Sequence, residues 1–147
     1  MRLSLFSDYS LRVLIYAAGK NDPFSISEVS EAYRISRHHL VKVVNHLSHL
    51  GYLETRRGRG GGISLGQPPK DIRVGDVVSQ TEGTSTLVEC FDHATNTCAI
   101  HHHCLLKSAL IQAQTAFYET LNRYTLADIA TGRRGRAIMN TLIPLPS

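Results

Sequence analysis

The chain has 147 residues, 42% of them hydrophobic and 19% charged, with a formal net charge of +4. That suffices for one domain with a modest core, or a small domain with an appendage, and excludes a chain too polar to fold. Its N-terminus lacks the apolar run of a secretory signal and no stretch nears the roughly 18 apolar residues of a membrane span. The expectation is a cytoplasmic protein with no membrane partner. The charge is unevenly shared. Residues 1–70 carry ten Lys/Arg against five Asp/Glu (+5), and residues 71–147 carry six against seven (−1). A basic half is the electrostatic footprint of a polyanion binder.

Residues 3–18 predict a helix with Phe6, Tyr9, Val13, Tyr16 and Ala17 on one face, stopped by Gly19 and Asn21-Asp22-Pro23. Phe24-Ser25-Ile26 reads as a short extended link. Ser27 is the expected N-cap of a helix over 28–34, where Glu28 and Glu31 suit the N-terminal dipole. After the tight connection Arg34-Ile35-Ser36, Ser36 is placed to cap a helix over 37–50. Leu40, Val43, Val44, Leu47 and Leu50 form its apolar stripe, and Gly51 is its left-handed end. The other face presents Arg37, His38, His39, Lys42, Asn45, His46 and His49. Segments 52–56 and 62–65 read as paired strands, joined by the turn Arg57-Gly58-Arg59-Gly60-Gly61.

Gln67-Pro68-Pro69 sets a soft boundary near residue 70, and a short helix built on Val74, Val77 and Val78 follows. From about 102 to 124, Leu106, Leu110, Ala113, Phe117, Leu121 and Tyr124 keep one stripe on a long helix. A second row, Leu105, Ala109 and Ala116, is too small and wet for a monomer core. The helix is therefore expected to pair with a second copy of itself. Thr125-x-x-Asp128 restarts a short helix. Beyond Thr131 the segment with Arg133, Arg134, Arg136 and two late prolines has little periodicity and is expected to be a mobile tail. The organisation expected is 1–70 for a DNA-binding domain, 71–131 for a metal loop and dimerisation helix, and 132–147 for the tail.

Helix, helix, tight turn, helix and a two-stranded ribbon is the order of a winged helix-turn-helix. The fold class expected is thus mainly α with a small β-hairpin wing, plus a long C-terminal dimerisation helix. In such a fold Ser36, Arg37, His38, His39 and Lys42 meet base edges and phosphates in the major groove. The plain alternative is a solvated basic face. The glycines at 58, 60, 61 and 62 let backbone approach DNA, and Arg57 and Arg59 suit a narrow minor groove. No Gly-Lys-Ser/Thr follows that turn, and no nucleophile elbow, His-Glu-x-x-His or Cys-x-x-Cys is present, so an enzyme is not expected.

The stretch from Cys90 to Cys104 holds all three cysteines and four of the eight histidines; seven residues separate Cys90 from Cys98 and five separate Cys98 from Cys104. Soft thiolates favour zinc, copper(I) or iron–sulfur clusters. Three cysteines leave one over in any disulfide framework and fall one ligand short of a four-iron cluster or tetrahedral zinc. His101 or His103 is a candidate fourth ligand for zinc, although such histidines are more often solvated. A metal-free thiol sensor with a low-pKa cysteine is a further alternative.

These residues carry a resemblance. The chain resembles the Rrf-type winged-helix iron–sulfur regulators of bacteria to about residue 131, and its nitric-oxide-sensitive members most. The resemblance lies in Phe6-Ser7-Asp8-Tyr9-Ser10-Leu11-Arg12, Ser36-Arg37-His38-His39-Leu40-Val41-Lys42, Arg57-Gly58-Arg59-Gly60-Gly61-Gly62 and Tyr124-Thr125-Leu126-Ala127-Asp128. It implies a homodimeric repressor of nitric oxide detoxification or denitrification genes, bound to a palindromic operator in double-stranded DNA, with nitric oxide as the signal. It also implies an iron–sulfur cluster, 4Fe-4S ahead of 2Fe-2S, on Cys90, Cys98 and Cys104, with Asp8 completing it from the other subunit. Arg12, one turn beyond Asp8, is then expected at a phosphate. Other members use a histidine three residues past the last cysteine, where this chain has Lys107. The gap between the first two cysteines is longer than in most nitric-oxide-sensitive members and approaches that of iron-responsive ones, which makes an iron-responsive repressor the alternative.

Overall fold

The structure is a computed structural model that describes residues 2–20, 22–83 and 86–143. Its helices are α1 (Leu5–Gly19), α2 (Ile26–Tyr33), α3 (Arg37–His49), α4 (Val74–Thr81), α5 (Leu105–Leu121), α6 (Leu126–Ala130) and α7 (Gly132–Leu142). β1 (Leu53–Arg56) and β2 (Gly62–Leu65) pair antiparallel in the register Leu53 with Leu65 and Arg56 with Gly62. The mainly helical fold with a small hairpin wing is thus the one the residue order predicts.

The central element is α1. Its Val13, Leu14, Tyr16 and Ala17 are at most 5% exposed. They meet α3 on one side and α4, α6 and α7 on others, so a single core draws on both halves of the chain. Ser25, not Ser27, caps α2. Its side chain accepts from the Glu28 N–H at 3.3 Å while the Glu28 carboxylate accepts from the Ser25 N–H at 2.7 Å. This reciprocal box satisfies two orphan donors at once, which a lone serine at position 27 does not. Glu28 also pairs with Lys20, tying the end of α1 to the start of α2.

The link before α2 does more than connect. Phe24 exchanges backbone hydrogen bonds with Ile63, at 3.0 and 2.8 Å, and so adds a third, one-residue rung to the wing. Phe24 is itself 2% exposed, against Tyr16. The hairpin therefore grows from the core.

Helices α4 and α5 approach closely at Gly75, where a methyl group would lie 2.5 Å from the Tyr118 carbonyl oxygen and 2.5 Å from Asn122 Oδ1. Asn122 caps α4 from across the fold: its Oδ1 accepts from the Asp76 N–H at 2.9 Å and its Nδ2 donates to Asp76 at 2.8 Å. Gly75→Ala must push α5 away and break this cap. The expected cost is about 1–3 kcal/mol, by analogy with overpacked cores, and it is read as a lowered denaturation midpoint with an unchanged slope.

The segment expected to be a mobile tail is, over 132–142, the helix α7. Its inner face is Gly135, Ile138, Met139 and Leu142, with Met139 against Gly19 of α1. A glycine in that face hid the period. Residues 144–147, which held the late prolines, lie outside the described residues. By contrast, α5 has no buried residue at all, and Leu105, Leu106 and Ile111 are 83%, 65% and 44% exposed. Its span is also shorter than expected: residues 101–103 form turns ahead of it.

Candidate nucleic-acid interface and cysteine loop

The connection between α2 and α3 is tight because Arg34 adopts a left-handed conformation, φ 55° and ψ 41°, and Ile35 then drops into the core at 6% exposure. Ser30 Oγ donates to the Ile35 carbonyl at 2.7 Å, locking the turn. On α3 the stripe Leu40, Val43, Val44 and Leu47 is buried. Outward stand Ser36, Arg37, His38, His39, Val41, Lys42, Asn45 and His49, all exposed.

Three details differ from the sequence reading. Ser36 occupies the N-cap position, but its hydroxyl makes no cap bond; its carbonyl accepts the His39 and Leu40 N–H groups instead. The hydroxyl is left for solvent or another acceptor. His46 is turned inward. Its ring meets Phe6 edge-on at 5.3 Å, and its Nε2–H donates to the Gln80 carbonyl at 3.3 Å. His39 is exposed yet stacks on Tyr9 at 6.0 Å, which fixes its ring against α1.

The wing tip is held by glycines. Gly58 and Gly60 have φ of 95° and 81°, and a side chain at Gly61 would lie 2.3 Å from the Arg56 carbonyl oxygen. This leaves Arg57 and Arg59 exposed on a short turn closed by the Gly61 N–H to Gly58 carbonyl bond of 2.9 Å.

Asp8 and Arg12 face each other one turn apart on α1. Arg12 Nε donates to Asp8 Oδ1 at 3.1 Å, and Arg12 Nη2 lies 2.9 Å from Asp8 Oδ2. The carboxylate accepting these bonds holds the Arg12 pKa above its ordinary value. Arg12 also sits 5.8 Å over the Tyr33 ring, whose phenol burial pushes up to about 12. The two residues singled out for separate roles are therefore each other's partner in the single chain.

The cysteine loop is a series of short turns. Cys90 lies in the 3₁₀ turn Glu89–Phe91, and Asp92 closes the next turn by accepting from the Ala94 N–H at 2.9 Å and Thr95 Oγ1 at 2.7 Å. The Cys98 N–H donates to Asn96 Oδ1 at 3.0 Å, and its carbonyl accepts from His101 Nδ1 at 2.8 Å. A carbonyl only accepts, so His101 donates from Nδ1 in this bond. Cys104 stands at the N-cap position of α5 without capping it. All three thiols are free and half-buried. Among the described residues no three His, Cys, Asp or Glu side chains come close enough together to hold an ion. The donor chemistry, three soft thiols on one loop, suits an iron–sulfur cluster. In the single chain the three thiols do not converge, and the loop spends its polar groups on its own turns. Metal ligation is what ordinarily supplies the energy to gather such a loop.

The end of α4, ahead of this loop in the chain, is tied to α1 and α3. At the end of α4, Thr81 Oγ1 lies 2.8 Å from the fully buried Ser7 Oγ, and the Glu82 carboxylate accepts from the Ser4 N–H at 2.8 Å. With the His46–Gln80 bond, three consecutive residues of α4 and its end touch the first turn of α1 and the outward helix α3. None of these polar contacts had an apolar signal to reveal it in the sequence.

A tight α2–α3 turn, an exposed basic α3 and an arginine-bearing wing anchored in the core define a winged-helix DNA-binding protein. Residues 3–132 match the Rrf2 family, described as iron-dependent transcriptional regulators, and the chain belongs to that family. It is 46% identical over 135 residues to the HTH-type transcriptional regulator NsrR of Bacillus subtilis (strain 168), a match covering 90% of this chain and 92% of that protein. With the regulator of the same name from Halalkalibacterium halodurans it shares 47% identity over 133 residues, 89% of this chain and 91% of the other. The structure of CymR, the global cysteine regulator of B. subtilis, superposes with a TM-score of 0.70 at 27% identity, over 88% of this chain and 96% of that one. The protein is a transcriptional regulator and not an enzyme. No helix among the described residues is long and apolar enough to cross a membrane.

Proposed function

We propose that this protein is a cytoplasmic, homodimeric repressor that binds a palindromic operator and responds to nitric oxide through an iron–sulfur cluster, so controlling genes of nitric oxide detoxification or denitrification. The observation that carries the reading is the wiring just described: the segment with all three cysteines follows α4 in the chain, and the end of α4, Gln80–Glu82, bonds to α1 and to His46 of α3. Displacing that segment would pull on the end of α4 and, through the His46–Gln80 bond, on the reading helix.

Cys90, Cys98 and Cys104 would hold the cluster, 4Fe-4S in our reading, with Asp8 of a second copy as the remaining ligand. When bound, the cluster supplies iron, to which nitric oxide binds strongly. Asp8 can serve its own Arg12 or a metal, and Arg12 without Asp8 is available to a DNA phosphate. The exposed leucines of α5 support pairing with a second copy, since the apolar row is otherwise left in water. In each subunit Ser36, Arg37, His38, His39 and Lys42 would enter the major groove and Arg57 and Arg59 the minor groove. The seven-residue gap between Cys90 and Cys98 favours, as a second reading, an iron-responsive repressor.

Anaerobic purification with a visible spectrum, iron and sulfide analysis, and operator binding before and after stoichiometric nitric oxide tests the proposal. A brown protein that loses its visible band and its operator together is the expected result. A colourless protein loaded with zinc would defeat the cluster. A brown protein whose affinity ignores nitric oxide but follows iron supply would give the second reading.

The wing can be tested separately. Arg59→Ala should weaken binding more on an operator with A·T-rich flanks than on one with G·C-rich flanks, because narrow minor grooves concentrate negative potential. Equal losses on the two duplexes, measured at one salt concentration, would mean that Arg59 touches only phosphate.

A further inference from the structure

The outward face of α3 contains one residue of the wrong chemistry for water. Val41 is 42% exposed, among Arg37, His38, Lys42, Asn45 and His49. It lies outside the core cluster and the partly buried residues packed on it, and helix propensity does not explain it, since valine forms helices less well than the lysine, glutamine or alanine that would suit an exposed site. Arg37 and Asn45 lie one turn before and after it, and His38 lies three residues before, so all are its neighbours on the surface.

In the major groove the apolar group on a base edge is the thymine C5-methyl; the other features are hydrogen-bond donors and acceptors. We infer that Val41 is a specificity-determining residue that covers the methyl group of one thymine in each operator half-site. The inference rests on the assignment of α3 as the reading helix and adds to it the base that this helix selects. Binding would take both the valine and the methyl out of water, which gives an apolar contact a reason to sit in a polar row. Arg37 and Asn45, on either side, have the side chains that pair with guanine and adenine edges.

The test begins with the wild-type dimer selecting its operator from duplexes of random sequence. Each thymine of that operator is then replaced by deoxyuridine, which removes the methyl and nothing else. At one position per half-site the wild type is expected to lose roughly three- to fivefold in affinity, the worth of about one buried methyl group. Val41→Ala should show no loss at that position, and its melting temperature should stay or rise, because Val41 lies outside the core cluster and alanine favours the helix. The inference is overturned if the wild type is indifferent to every deoxyuridine, if the penalty persists in Val41→Ala, or if that variant melts lower. A separate arm guards the parent reading. If Lys42→Ala does not weaken binding, or no operator can be selected, α3 is not the reading helix and the inference falls with it.

Discussion

Cys98→Ser is expected to give a colourless protein that purifies without iron or sulfide and no longer distinguishes nitric oxide from buffer in an operator-binding assay. Cys90→Ser and Cys104→Ser should behave alike, since a serine hydroxyl is a hard donor and a poor substitute for a thiolate on cluster iron. Asp8→Ala should differ. Three thiolates remain, so the protein should still load but bleach faster, and the variant also strips Arg12 of the carboxylate that holds it at 2.9 Å. Iron per subunit, sulfide per subunit and the rate of bleaching measure the contrast. A Cys98→Ser protein that remains brown would show that Cys98 is not a ligand. An Asp8→Ala protein with no cluster at all would make the carboxylate essential rather than labile. A serine variant that is colourless but still loses DNA on nitric oxide treatment would place the sensor elsewhere.

Arg37→Ala and Lys42→Ala should produce the other large effect, and in different ways. Lys42 is a flexible, exposed point charge suited to phosphate. Its loss should weaken binding to all duplexes alike and reduce the slope of log affinity against log salt by roughly 0.9 per subunit phosphate contact. Arg37 stands at the first position of α3, where side chains reach base edges. Its loss should cost about 1–3 kcal/mol on the operator and less on random DNA, lowering the ratio between them. Affinities over a salt series on two duplexes separate the outcomes. If both variants shifted both duplexes equally, Arg37 would be a phosphate contact too. If the wild-type affinity did not fall with salt, the basic face of α3 would not be the DNA surface.

How much of this was legible follows from where each signal lies. Local signals were strong. On α3 a 3.6-residue period separates Leu40, Val43, Val44 and Leu47 from the basic row, and the wing shows itself through glycines that only a turn with positive φ requires. Such features depend on neighbours within a few residues, so the sequence states them directly. Caps were half-legible: Ser25-x-x-Glu28 is written in the chain, yet Ser27 stands nearer the apolar run and drew the reading two residues too far.

By itself the sequence determined the order of helices and strands, the outward basic face, the arginines of the wing and the thiol donors of the loop. The tertiary structure decided where those parts meet. It paired Phe24 with Ile63, turned His46 inward to the Gln80 carbonyl, set Ser7 against Thr81 and gave α4 its cap from Asn122, 46 residues away. It also made a helix of residues 132–142 and joined Asp8 to Arg12 while leaving the three thiols apart. The physical reason is common to all of these. A polar or apolar side chain shows its type and its spacing along the chain, but its partner is set by which surfaces the buried core brings together, and that depends on every element at once.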